Sequence, residues 1–266
     1  MINIYKNTIE NKNYLGKHNY DNSFKLPLIR VNNLVPIDIL DDVVSEFPLG
    51  LFVNGNYFNT FLCSPFNLKE LVVGYLSFKN LISHQSDIID FKFDNNSRIA
   101  HITIKELHLE QNKNTIYLND YDFINAKPVN SNIKISATQI YKYMDSNLSS
   151  KLFKNTAGVH NISIYDKNEL IISCEDVARH NAIDKAIGYC ILNNISLDDK
   201  VLLVSGRLSF EMIQKVACVS IPIVIAKSAT TNLAIELAEK LNITLVGFVR
   251  DKKMNIYTNS NRIIFE

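Results

Sequence analysis

Cysteine is scarce and badly spaced for metal or redox work. The chain has four, at Cys63, Cys174, Cys190 and Cys218, and no two form a Cys-x-x-Cys pair. A zinc knuckle and a dithiol redox motif are therefore excluded, and free thiols are expected. No apolar run approaches the roughly 18 to 20 residues of a membrane span, and MINIYKNTIENKNYLGKHNY has no apolar stretch for a signal peptide. A cytoplasmic protein without membrane contact is expected. An excess of charge of one sign is missing too: Lys+Arg 28 against Asp+Glu 27 leaves a formal +1. No global field draws the chain onto nucleic acid or an anionic membrane, so any anion recognition must be local. The glycines form neither a Gly-x-Gly-x-x-Gly dinucleotide turn nor a Gly-x-Ser-x-Gly elbow. Zinc deaminases need a Pro-Cys-x-x-Cys beside their His-x-Glu, and no Pro-Cys-x-x-Cys occurs.

What is present suits a substantial globular core: 266 residues, 47% hydrophobic and 21% charged. Residues 1–25 read as a polar, flexible arm. Residues 26–135 read as a smaller β-rich part. Its clearest signal is the Asn54-Gly55 turn between Leu49–Val53 and Tyr57–Leu62. One helix is predicted there, capped by Asn67, because Leu68, Leu71, Val72, Tyr75 and Leu76 recur at spacings of three and four. Further strands are predicted near 87–94, 98–107 and 114–118, then a polar crossing from Asn119 to Ser136. Residues 136–266 read as an α/β domain. It opens with a helix using Ile140, Met144, Leu148 and Leu152, then a hairpin turning at Asp166-Lys167-Asn168 and a helix from about Asp176 to Leu192. Val201–Val204, Ile223–Ala226 and Thr244–Phe248 then alternate with helices. Such continuously apolar strands point to a mixed or parallel sheet covered on both faces.

In such a sheet ligands bind beyond the carboxyl ends of the strands. Three of these ends carry suitable chemistry. Ser205-Gly206-Arg207-Leu208-Ser209 combines outward-facing amides with a guanidinium fork, and Lys227-Ser228-Ala229-Thr230-Thr231 is rich in hydroxyls. Phe248-Val249-Arg250-Asp251-Lys252-Lys253 brings cations. Each turn alone reads as an N-cap or a solvated hairpin, but three along one edge read as an anion cradle. The segment Glu175–Lys185 is denser still. A helix from Asp176 would place Asp176, His180 and Asp184 on one face and pair Glu175 with Arg179. A histidine between two carboxylates would be held charged or oriented for proton transfer; the plainer alternative is capping acids and surface ion pairs. His160, alone after a glycine turn, reads as structural.

The run Glu175-Asp176-Val177-Ala178-Arg179-His180-Asn181-Ala182-Ile183-Asp184-Lys185 resembles the signature of the FdhD family, the formate dehydrogenase accessory proteins, with Ala178 where glycine is typical. Ser205–Glu211, Ser228-Ala229-Thr230, Leu245–Phe248, Thr156–His160 and Leu62-Cys63-Ser64-Pro65 are similar to family positions too. The resemblance implies a cytidine-deaminase-like three-layer fold and a homodimer. It also implies sulfur transfer from a cysteine desulfurase to a molybdenum cofactor bearing two pterin guanine dinucleotides, for delivery to formate dehydrogenase. The implied cofactor contacts are Phe248, Val249, Arg250, Asp251, Lys252 and Lys253. Gly206, Arg207, Ser209 and Ser228 complete the cradle read from the strand ends, and GDP is the natural surrogate ligand. One departure decides whether the chain is an enzyme. The family's Cys-Gly-x-Cys-Gly loop falls in the interval 114–143, which holds no cysteine here. Persulfide chemistry requires a thiolate. Cys63, ahead of a helix whose dipole would lower its pKa, is the remaining candidate. The alternative is a cofactor chaperone or scaffolding paralogue without sulfurtransferase activity.

Overall fold

The computed structural model describes residues 21–105, 127–147, 150–167 and 169–266. β1 (Ser23–Asn32) and β2 (Val35–Val44) form an antiparallel ribbon. β3 (Phe47–Val53), β4 (Asn56–Cys63), β5 (Ile88–Asp94) and β6 (Ile99–Ile104) form a sheet in the order β4-β3-β6-β5. The Asn54-Gly55 turn lies where expected, with both residues at positive φ, 49° and 84°. Helix α1 (Leu68–Phe78) follows β4. Asn67 occupies its N-cap position but sits at φ 52° and makes no side-chain cap. The expected strand at 114–118, the polar crossing up to residue 126 and the first 20 residues lie outside the described residues.

The second half begins with β7 (Ile135–Ser136), α2 (Ala137–Asn147) and α3 (Lys151–Thr156), two helices where one was expected. Ser150 explains the restart: its hydroxyl accepts from Phe153 N and caps α3. Then come β8 (His160–Tyr165), β9 (Leu170–Asp176), α4 (Arg179–Leu192), β10 (Val201–Val204), α5 (Phe210–Cys218), β11 (Ile223–Ala226), α6 (Asn232–Lys240), β12 (Thr244–Arg250), β13 (Lys253–Thr258) and β14 (Ile263–Ile264). The six-stranded sheet has the order β13-β12-β11-β10-β8-β9. Only β10, β11 and β12 run parallel; β8, β9 and β13 are antiparallel to their neighbours, so the sheet is mixed. Short turns join β8 to β9 and β12 to β13, and such turns permit only antiparallel pairing.

The central strands are buried on both faces because helices cover both. Val201 and Leu203 face α2, through Ile140, Tyr143 and Met144. Leu202 and Val204 face a larger cluster that includes Ile183 and Ile187 of α4, Met212 and Val216 of α5, and Leu237 of α6. The same cluster takes in Leu49 and Leu51 of β3 and Leu71 and Leu76 of α1, so one core joins the two sheets. The joint is tight. A Cβ on Gly74 would lie 1.9 Å from Asp184 O, and one on Gly188 would lie 1.9 Å from Glu70 O. Only two glycines let the backbones of α1 and α4 approach this closely.

Candidate functional site

The carboxyl ends of β10, β11 and β12 form one edge, held by backbone hydrogen bonds. Lys227 N donates to Val204 O (3.0 Å), Leu208 N to Ala229 O (3.0 Å), Thr231 N to Leu208 O (3.1 Å) and Phe248 N to Ser228 O (3.0 Å). On the other flank Ser205 N donates to Asn161 O (3.0 Å) and Ser205 Oγ accepts from Asn161 N (2.9 Å), tying the first turn to β8. The three turns singled out in the sequence are thus neighbours.

Their side chains differ in what they can offer. Thr231 is an ordinary N-cap, accepting from Ala234 N, whereas Ser209 stands at the N-cap position of α5 without capping it. Asp251 and Lys252, at φ 52° and 54°, make the tip of the β12–β13 hairpin. Before it the ladder slips between Gly247 and Arg250, and Phe248 sits at φ 54°. Phe248, Arg250, Asp251, Lys252, Lys253 and Arg207 are exposed, Ser209 and Ser228 are half-buried, and Gly206 is buried. Val249 is only 2% exposed and packs in the α2 core, so its backbone alone belongs to the edge. Among the described residues Arg207, Arg250, Lys252 and Lys253 form no ion pair. Four such cations on one sheet edge suit phosphate oxygens.

The Glu175–Lys185 segment differs from its expected form. Asp176 ends β9 opposite His160 and is fully buried, so the helix starts three residues later and the triplet Asp176, His180, Asp184 shares no helical face. The Asp176 carboxylate accepts from Ser64 N (2.9 Å), Ala178 N (2.9 Å) and Asn181 Nδ2 (3.1 Å), and pairs with Lys185 Nζ at 2.7 Å. Asp184 pairs with Lys215, whose Nζ is 2.8 Å from both carboxylate oxygens. Asp176 therefore clamps the end of β9 to the Leu62–Phe66 link and Asp184 clamps α4 to α5; neither is a surface charge. Glu175 and Arg179 form no ion pair with each other, because one lies in a strand and the other opens the next helix. His180 is near Glu211 instead, Nδ1 to Oε1 3.6 Å. Glu211 was matched in the sequence only as a family-like position, with no role assigned; its place after the Ser205–Ser209 turn was the signal.

The thiols are placed for packing. Cys63 is fully buried at the end of β4, its Sγ donating to Phe47 O at 3.4 Å. Burial and the neighbouring Asp176 carboxylate push its pKa up to about 12. α1 begins five residues later, beyond reach of a useful helix-dipole effect, so the surroundings of Cys63 on balance disfavour a thiolate. Burial pushes Cys174 and Cys190 up to about 12 as well, and raises Cys218. Of the cysteine-free interval, residues 114–126 lie outside the described residues, while Val129 is buried and its N donates to Leu241 O (2.8 Å).

With strand edge and thiols located, comparison with known proteins decides the ancestry: the model of the FdhD/NarQ family matches residues 44–264. The chain belongs to that family. It is 41% identical over 239 residues to the sulfur carrier protein FdhD of Bacillus pumilus, covering 84% of this chain and 90% of the relative. Against the protein of the same name from Bacillus subtilis the identity is 38% over 243 residues (84% and 90%), and against that from Staphylococcus aureus 36% over 260 residues (92% and 98%). The fold is also that of a solved candidate formate dehydrogenase accessory protein of Desulfotalea psychrophila, with TM-score 0.80 and 22% identity over 92% of this chain and 100% of that one. The Glu175–Lys185 segment thus contributes two buried clamps and, at Arg179, a side chain beside the β10 turn. Among the described residues no group of His, Cys, Asp and Glu is arranged to hold a metal ion, and no helix is long and apolar enough to cross a membrane.

Proposed function

We propose that this FdhD/NarQ protein is a formate dehydrogenase accessory protein that holds the molybdenum bis(molybdopterin guanine dinucleotide) cofactor as cargo at the β10–β12 edge. The observation that carries the reading is the row of three hydrogen-bonded strand ends bearing Arg207, Arg250, Lys252 and Lys253, which form no ion pair among the described residues. A pyrophosphate bridge needs backbone amides and cations together. Calorimetric titration with GDP tests it. Saturable binding weakened about tenfold or more by Arg250→Ala is expected, since a charge-assisted contact is lost; no binding to the native chain would leave a scaffolding role.

The four thiols support a chaperone without a persulfide of its own rather than a sulfurtransferase. Incubation with a cysteine desulfurase and free cysteine, followed by intact-mass measurement, should add no sulfur; a gain mapped to Cys63 would restore the transferase reading. A homodimer is part of the same proposal. The distal β1–β2 ribbon leaves Leu34 at 93%, Leu40 at 68% and Val31 at 60% exposure, an apolar surface unusual for a monomer. Sedimentation of Leu34→Asp/Leu40→Asp should shift toward the monomer mass, and an unshifted dimer would place the interface elsewhere.

A further inference from the structure

Beside the β10 turn, buried polar atoms lack partners where the protein has hydroxyl, imidazole and guanidinium groups together. Arg179 Nε, His180 Nδ1 and Ser209 Oγ are each buried without a hydrogen-bond partner, as is Glu175 Oε1. Such atoms are rare in native proteins, and a missing ligand is one of their few explanations. Two of the elements concerned, β8 through His160 and α4 through Arg179, close on Gly206, and His180 reaches toward Glu211 of α5, Nδ1 to Oε1 3.6 Å. A Cβ on Gly206 would lie 3.2 Å from His160 Nδ1 and 4.0 Å from Arg179 Cδ, so a glycine lets His160 and Arg179 close over the turn. Arg179 and His180 open α4, Ser209 and Glu211 open α5, and neither helix start has a side-chain cap.

The charges select the ligand class. The carboxylates behind the cluster, Asp176 and Asp184, are matched by Lys185 and Lys215, so the acids left to the cluster are Glu211, beside His180, and Glu175, to be set against Arg179 and the imidazoles. Arg179 has no ion-pair partner among the described residues, and its charge beside two imidazoles disfavours a metal ion. Burial, then Arg179, holds the His160 pKa below its ordinary value; burial also lowers that of His180, against the pull of Glu211. Neutral imidazoles, a guanidinium and a hydroxyl offer donors to an oxyanion and can take up a proton as it arrives.

We propose that Arg179, Ser209, His160 and His180 form a recognition site for a tetrahedral oxyanion of the phosphate class, distinct from the Phe248–Lys253 hairpin. The site shares Ser209 with the proposed cofactor cradle, whereas His160, Arg179 and His180 lie outside that cradle, on β8 and α4. The two possible sources, free phosphate and a nucleotide's phosphate, share this chemistry. The groups that face the two histidines, and so set any proton uptake, are Arg179 and Asp176 for His160, and Glu211, Arg179, Lys215 and His160 for His180.

The test is NMR of the full chain with 13C-labelled histidine, titrated with inorganic phosphate. Saturable shifts of the His160 and His180 ring signals are expected, with those of His84 and His101 unmoved. Arg179→Gln should weaken binding about tenfold or more and Ser209→Ala about threefold, while Arg250→Ala leaves it unchanged. Ser209→Ala keeps the test valid should Arg179→Gln fold poorly. GDP that competes with phosphate identifies a nucleotide as the source, and GDP that binds without competing identifies a free oxyanion; either supports the site. Absence of saturable shifts, or equal binding by Arg179→Gln and the native chain, would overturn it. GDP binding lost in Arg250→Ala with phosphate binding kept would separate failure of one site from failure of the other.

Discussion

Replacing Asp176 by Asn puts the buried clamp to its most direct trial. The side chain is fully buried and accepts three hydrogen bonds, from Ser64 N, Ala178 N and Asn181 Nδ2, besides the ion pair with Lys185 at 2.7 Å. Lys185 is equally buried; its Nζ also donates to Ser64 O (3.2 Å) and Glu175 O (3.3 Å) and lies 4.3 Å from the Phe66 ring centre. Asp176→Asn leaves that ammonium without a counter-charge and can turn an amide donor toward Ser64 N–H. Removing one partner of a buried pair costs about 3–5 kcal/mol. At about 2–4 °C per kcal/mol for a chain approaching this size, the melting temperature should fall by roughly 6–20 °C. Urea unfolding followed by circular dichroism and by tyrosine fluorescence, convenient in a chain with Tyr 12 and Trp 0, measures the cost. Lys185→Met should cost a similar amount, and the double variant less than the two combined, because no unpaired charge remains. A loss below about 1 kcal/mol for Asp176→Asn, or strict additivity in the cycle, would refute the clamp.

Other expectations follow from the same geometry. Gly188→Ala should destabilise by about 1–3 kcal/mol or more, since its Cβ would meet Glu70 O at 1.9 Å; a neutral result in thermal melts would contradict the close helix crossing. Burial lifts the Asp184 pKa from 3.8 to about 6, against the opposing pull of Lys215. The folded state then holds this proton more tightly than the unfolded one. Its contribution to stability therefore falls as pH rises from about 4 to about 6, by a few kcal/mol at most. Asp184→Asn should remove that slope from the pH–stability curve, and an unchanged slope would exclude Asp184 as its source. Cys63, Cys174 and Cys190 should resist iodoacetamide at neutral pH until the chain unfolds, as mass spectrometry can show; rapid labelling of Cys63 in the native state would contradict its burial.

Short-range signals were legible. The Asn54-Gly55 turn and the apolar runs at Val201–Val204 and Ile223–Ala226 carry their structure locally, through positive-φ tolerance and through burial on both faces. The three strand-end turns could be located for the same reason. The start of α4 could not be read, because a polar Asp-Val-Ala-Arg string suits a capped helix as well as the last residues of a strand. What decides is the ladder to β8 and the carboxylate's partner Ser64, 112 residues away in sequence. The split between α2 and α3 could have been inferred from Ser150, whose cap is local.

By itself the sequence determined the family, the alternation of strand and helix, the absence of a cysteine loop and the cations at the sheet edge, since all of these reside in residue types and their spacing. Only the tertiary structure decided that Asp176 and Asp184 are buried clamps, that Cys63 is a core thiol and that His160 meets Arg179 over Gly206. Those outcomes depend on which side chains from distant segments exclude water together, and burial alone separates a reactive carboxylate, thiol or imidazole from a structural one.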